Sequence, residues 1–166
     1  MLSIEYDYDE RVLFTIDKNN EKKIVSDDFP SPPNTSPNKE RIVYISPLEW
    51  ECYGSVYLFD LTTGYNEVII PPNGRDIPKD VIWVTDNYLA VIIGFGDGTI
   101  SIGGNVFIYS TEDKKIQQIT KHSGKVQFTR LSLDVSQLIA EGIIYTDDNF
   151  IEFDKYRETI EIAMYI

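Results

Sequence analysis

Glu49, Trp50 and Glu51 place an indole between two carboxylates within the stretch PLEWECY. An aromatic plate flanked by acids can hold a cationic or sugar-like ligand. The same residues also suit an indole that packs its loop onto a sheet while the acids stay in water. Asp97 and Thr99 lie within GFGDGTISIGGN and offer oxygen ligands of the kind a hard cation takes. A calcium loop of the EF-hand type needs acids at alternate positions and a closing bidentate glutamate, which this stretch lacks. Asp147 and Asp148 sit where a turn is expected, and Asp is an ordinary turn residue. His122, the only histidine, can serve as a general base, although the surrounding Lys-His-Ser-Gly equally suits an exposed turn.

These residues bound the chemistry. One histidine and one cysteine, Cys52, cannot build a multi-histidine or multi-thiolate metal site, so no metal is expected. A single cysteine also excludes an internal disulfide. No Gly-x-Ser-x-Gly is present, and nothing in the sequence brings Cys52 to His122. GFGDGT lacks the lysine and the following helix of a phosphate-cradling loop. Two carboxylates for glycoside hydrolysis can be drawn from Glu49, Glu51, Asp97 and Asp147, as from any acidic surface. No catalytic constellation and no cofactor follow from this set.

The elements that must carry these residues are repeated. GSVYLFDLTTGYNEVII at 54–70 reads as a strand, a turn opened by Asp60 and closed by Gly64, and a return strand. RVLFTIDKNNEKKIV at 11–25, NVFIYSTEDKKIQQIT at 105–120 and FIEFDKYRETIEI at 150–162 repeat it, with Asp17, Ser110 and Asp154 in the place of Asp60. The steps are 43, 50 and 44 residues. A second unit, a polar turn and then an apolar strand, alternates with the first at 36–46, 84–94 and 132–144. Two units alternating at this period are the signature of stacked four-stranded blades. The expected fold is all-β, a small β-propeller-like repeat domain with about three full four-stranded blades plus an N-terminal partial blade.

SPNKERIVYIS followed by GSVYLFDLTTG resembles the blades of TolB-like and prolyl-oligopeptidase-like propellers. SPLEWECYGSVYLFD and WVTDNYLAVIIGFGDGTISIGGNVFIY resemble an uncharacterised family from Bacillus- and Clostridium-type bacteria, chiefly over residues 31–120. The resemblance implies a propeller fold and carries over no catalytic residue.

One domain is expected over 1–166, with a partial blade at 1–27 and blades at about 34–70, 80–120 and 125–166. Pro-rich segments 28–39 and 71–79 read as connections, and Met1–Tyr8 can supply one further strand. The last blade is expected to end in an apolar strand at 160–166. Closure of a small ring by the N-terminal segment is the expected resolution of the odd blade count, with sharing of a ring between two chains next. With strands A to D counted outward from the axis, the B–C loops and the D–A connections fall on one face. That face gathers Glu49, Trp50, Glu51, Asp97, Thr99, Ser101, Asp147 and Asp148, with Arg75 and His122 nearby. The opposite face holds only tight turns, so a binding site is expected among the longer loops.

A net charge of −12 disfavours nucleic acid and anionic membrane as partners. Met1–Tyr8 is polar and acidic, unlike a signal peptide, and no spanning segment is visible. A complete chain is expected in the cytoplasm; the incomplete first blade also fits the soluble part of an exported or anchored protein. The expected function is non-catalytic binding or scaffolding for an unknown protein or small molecule, through the loop-rich acidic face. A carbohydrate-active hydrolase and a structural subunit of a homo-oligomer, such as a homodimer, are the alternatives.

Overall fold

Every residue from 1 to 166 is described by the computed structural model. Four antiparallel sheets follow one another along the chain. The first contains β1 (Ser3–Asp7), β2 (Val12–Ile16) and β3 (Lys22–Ser26). The second contains β4 (Asn34–Thr35), β5 (Arg41–Ser46), β6 (Ser55–Asp60) and β7 (Asn66–Ile70). In the third lie β8 (Asp76–Trp83), β9 (Tyr88–Phe95), β10 (Asn105–Ser110) and β11 (Lys115–Gln118). The last has β12 (Val126–Asp134), β13 (Gln137–Tyr145) and β14 (Phe153–Glu161). A 3-10 turn at Ile162–Met164 is the only helical element.

The repeated turn forms for a local reason. Asp17 Oδ1 accepts the amides of Asn19 and Glu21, Asp60 Oδ1 those of Thr62 and Thr63, and Ser110 Oγ that of Asp113. In each copy a left-handed residue then reverses the chain: Asn20 (φ 65), Gly64 (φ 76) or Lys114 (φ 53). Asp154 breaks the pattern. It was expected to open a fourth such turn, but it pairs with Ile144 inside the nine-residue strand β14. No residue between 154 and 158 has positive φ, so the strand runs straight on to Glu161. The expected apolar strand at 160–166 is therefore replaced by the end of β14 and the 3-10 turn.

The matched turns fix the strand identities. β2 and β3 correspond to strands C and D, so the first sheet lacks its innermost strand A. The last sheet holds A, B and C and lacks the outermost strand D. Met1–Tyr8 contributes β1, the extra strand anticipated for it. β8 starts at Asp76, inside the segment expected to be a connection, and accommodates Pro78 at a bulge where the register shifts between Pro78 and Asp80.

The core lies between sheets. Leu13, Ile42, Tyr44 and Phe59 join the first sheet to the second. Val43, Val56, Trp83 and Val91 join the second to the third. Ile92, Val106, Phe128 and Leu138 join the third to the last. The two middle sheets bury one face on either neighbour, and the first and last sheets bury one face each. No hydrogen bond, ion pair or apolar cluster joins the first sheet to the last, so the N-terminal segment does not close a ring within one chain.

Candidate functional site

The β5–β6 loop, Pro47–Gly54, and the β9–β10 loop, Gly96–Gly104, lie side by side on the face predicted to carry function. Between them runs an open cleft of about 350 Å³, lined by Leu48, Trp50, Cys52, Lys79, Ser101 and Ile102 among others.

The first loop is fixed from below. Arg11 donates to Glu49 Oε2 at 2.6 Å and to the carbonyl of Leu48, and stacks over Phe29 at 5.4 Å. Leu48 N–H donates to Phe29 O at 2.8 Å. Glu49 also receives the Trp50 amide at 3.1 Å; that bond and the Arg11 guanidinium hold its carboxyl below the usual range. The loop narrows at a neck where a Cβ on Gly54 would stand 2.1 Å from Pro47 O. Gly54→Ala is expected to cost about 2 kcal/mol, because a backbone atom must shift to admit the methyl group. Chemical denaturation measures it, and an unchanged midpoint would show that the neck opens freely.

So anchored, Trp50 stays 59% exposed at the cleft, and Glu51 beside it is exposed with φ 53. Across the cleft, Tyr53 donates to Asp97 Oδ1, and Arg75 pairs with Asp97 Oδ2 at 3.2 Å. The hydrogen bond to Asp97 raises the Tyr53 phenol. Tyr145 O–H reaches Ile100 O at 2.8 Å and ties the second loop to the last sheet.

Lys79 is the bulged residue of β8. The bulge turns its side chain into the cleft, where it donates to the carbonyls of Phe95 and Ser101. Burial lowers its pKa to about 8. Neither Lys79 nor the anchor Arg11 was among the candidates. The bulge hides Lys79 from strand alternation, and Arg11 reaches Glu49 across 38 positions.

The remaining candidates stand apart. Thr99 is exposed on its loop and outside the cleft lining. Asp147 Oδ1 accepts the amides of Ile151 and Glu152, each at 3.0 Å. Desolvation pushes that carboxyl up, but the amides outweigh it and the net direction is down. Asp148 pairs with Lys125 at 2.6 Å on the open surface. His122 is half-buried rather than free in a turn. Its Nε2 lies 2.7 Å from Glu158, and its ring packs edge-on to Phe128 and Tyr156. It lines a second concavity of about 290 Å³ with Gln127 and Asn105. Glu49, Trp50 and Glu51 thus line one cleft. Asp97 and Arg75 pair with each other next to its Gly96 and Gly98 lining, and Thr99, Asp147, Asp148 and His122 stand away from it.

Known proteins agree on the architecture. An inferred conserved lipoprotein from Clostridium novyi NT superposes with a TM-score of 0.71 at 21% identity, over 80% of this chain and 86% of that one. TolB from Acinetobacter baumannii gives 0.54 at 19% identity, over 97% of this chain and 40% of its own. The β-propeller domain of the Trilobed protease from Pyrococcus furiosus, described as having an open velcro topology, gives 0.52 at 13% identity, over 96% and 52%. The chain therefore spans about half or less of the latter two. At these identities the likeness shows the fold, an all-β β-propeller-like stack. No curated protein matches the sequence. Residues 48–163 match a domain of unknown function, DUF4652, and the chain belongs to that family.

Proposed function

We propose that this domain is a non-catalytic binding module whose ligand, an uncharged sugar-like molecule, seats in the cleft between the β5–β6 and β9–β10 loops. The observation that carries the reading is the exposed Trp50 indole on a loop pinned by Arg11. A rigid aromatic plate beside a shallow, mixed polar cleft suits stacking with polar groups at the edge. A cationic ligand fits less well, since Glu49 is engaged by Arg11 and Lys79 adds positive charge to the cleft. The hydrolase alternative lacks support from its acid. Glycoside hydrolysis needs a carboxyl with a raised pKa and a second carboxylate facing it, whereas Glu49 and Asp147 are held down, Asp97 is engaged by Tyr53 and Arg75, and Glu51 is exposed at the cleft mouth.

Fluorescence tests the cleft directly. Trp83 is 3% exposed, so a ligand at this surface reports through Trp50. Titration with a panel of neutral oligosaccharides is expected to give a saturable change. Trp50→Ala and Glu51→Gln are expected to weaken that binding about tenfold or more, equivalent to about 1.4 kcal/mol. A sugar that binds both variants with unchanged affinity, followed by calorimetry, would place the site elsewhere.

No helix of the chain is long and apolar enough to cross a membrane. The likeness to the lipoprotein of Clostridium novyi supports a place for this domain outside the cytoplasm, on an exported or anchored protein.

A further inference from the structure

We propose, beyond the cleft reading, that two copies of this chain close one ring of eight sheets. The open face of the first sheet in each copy packs on the open face of the last sheet in the other. The three internal junctions are one geometry repeated, a sheet face against a sheet face around an apolar cluster. The two end faces are the same kind of surface without a neighbour. Strand alternation and register place Val12, Phe14, Ile16 and Ile24 on the outer face of the first sheet, opposite the face that carries Leu13. Ile24 is 54% exposed. On the last sheet the outer face carries Ile143 and Phe153, with Phe153 58% exposed.

Charge distinguishes the two ends. Lys155 and Arg157 stand exposed on the outer face of the last sheet and make no ion pair. Asp9 and Glu10 stand exposed in the β1–β2 loop at the margin of the first sheet, also without an ion pair. Lys22, the cation on that first face, is already neutralised by Glu5 at 2.5 Å and covers the Phe14 ring at 4.8 Å. A first face therefore suits a last face better than it suits another first face. A two-fold axis through the ring makes both junctions equivalent and leaves no end face exposed.

Light scattering with sedimentation equilibrium is expected to give twice the 19.1 kDa chain mass at micromolar concentration. Ile24→Lys sets a cation against the basic end, and Phe153→Asp sets an acid against the acidic end. Each variant alone is expected to run as one chain. Mixed one to one they are expected to recover the two-chain particle, because one junction stays intact and the other meets Lys with Asp. Both side chains are more than half exposed in the single chain, so each variant should keep its fold, which an unchanged far-UV circular dichroism spectrum and a cooperative thermal transition verify; loss of the partner chain lowers the melting temperature without changing the fold. Three results would overturn the proposal: a wild-type chain of single mass, dissociation by only one of the two variants, or particles larger than two chains.

Discussion

Trp83→Ala is expected to destabilise the protein by about 3–5 kcal/mol, the range for removing a large aromatic from a packed core. Trp83 ends β8 at 3% exposure and sits in the cluster between the second and third sheets. Its ring does more than fill space. The indole Nε1–H donates to Asn34 O at 3.1 Å, and the Trp83 amide donates to Asn34 Oδ1 at 2.8 Å. Arg41 covers the ring at 5.0 Å and donates onward to the carbonyl of Asp86. These bonds hold β4, a strand of only two residues, against the next sheet. Alanine removes the packing and leaves Asn34 O without the indole. Trp83→Phe keeps most of the apolar surface and loses one hydrogen bond, so it is expected to cost about 1–2 kcal/mol. Urea titration followed by circular dichroism measures both. A Trp83→Ala loss below about 1 kcal/mol would mean that the junction repacks and that Asn34 finds water instead.

The strand-turn-strand unit was legible because its turn is written in local chemistry. An acceptor at Asp17, Asp60 or Ser110 meets amides two to four residues on, and a left-handed residue follows. Where the second half of that code is absent, as after Asp154, the reading failed and the strand continued. Strand connectivity alone also put the Pro47–Gly54 and Gly96–Gly104 loops on one face, which is how Trp50 and Asp97 came to notice. What stayed hidden is non-local. Lys79 enters the cleft only because β8 bulges there, and a bulge breaks the period-two alternation that sequence reading depends on. His122 was read from a polar turn, yet Glu158 and two aromatic rings from the last sheet meet it.

The same bulge governs a second large effect. Just past it, Asp80 Oδ2 accepts the Leu131 amide at 2.7 Å and Oδ1 accepts the Val81 amide at 3.0 Å, so one half-buried carboxylate ties the third sheet to the last. Asp80→Ala is expected to cost about 3 kcal/mol, since the Leu131 and Val81 amides lose a charged acceptor in a partly dry site. Asp80→Asn keeps an acceptor oxygen and isolates the charge. Burial raises the Asp80 pKa above its ordinary value of 3.8, and the Leu131 and Val81 amides and Arg130 oppose it without prevailing. A carboxyl raised on folding binds its proton more tightly in the native state, so the charged form weakens the fold at neutral pH. That penalty is relieved as pH falls through the folded pKa toward 3.8. Glu49, Asp60 and Asp147 titrate in the opposite sense and lose stability on acidification. The wild-type curve mixes both signs, but the wild-type minus Asp80→Asn difference cancels the shared carboxyls. That difference is expected to rise in favour of wild type as pH is lowered from 7 toward 4. Unfolding free energies measured at each pH decide it: a flat difference would mean that solvent reaches Asp80 in the folded chain.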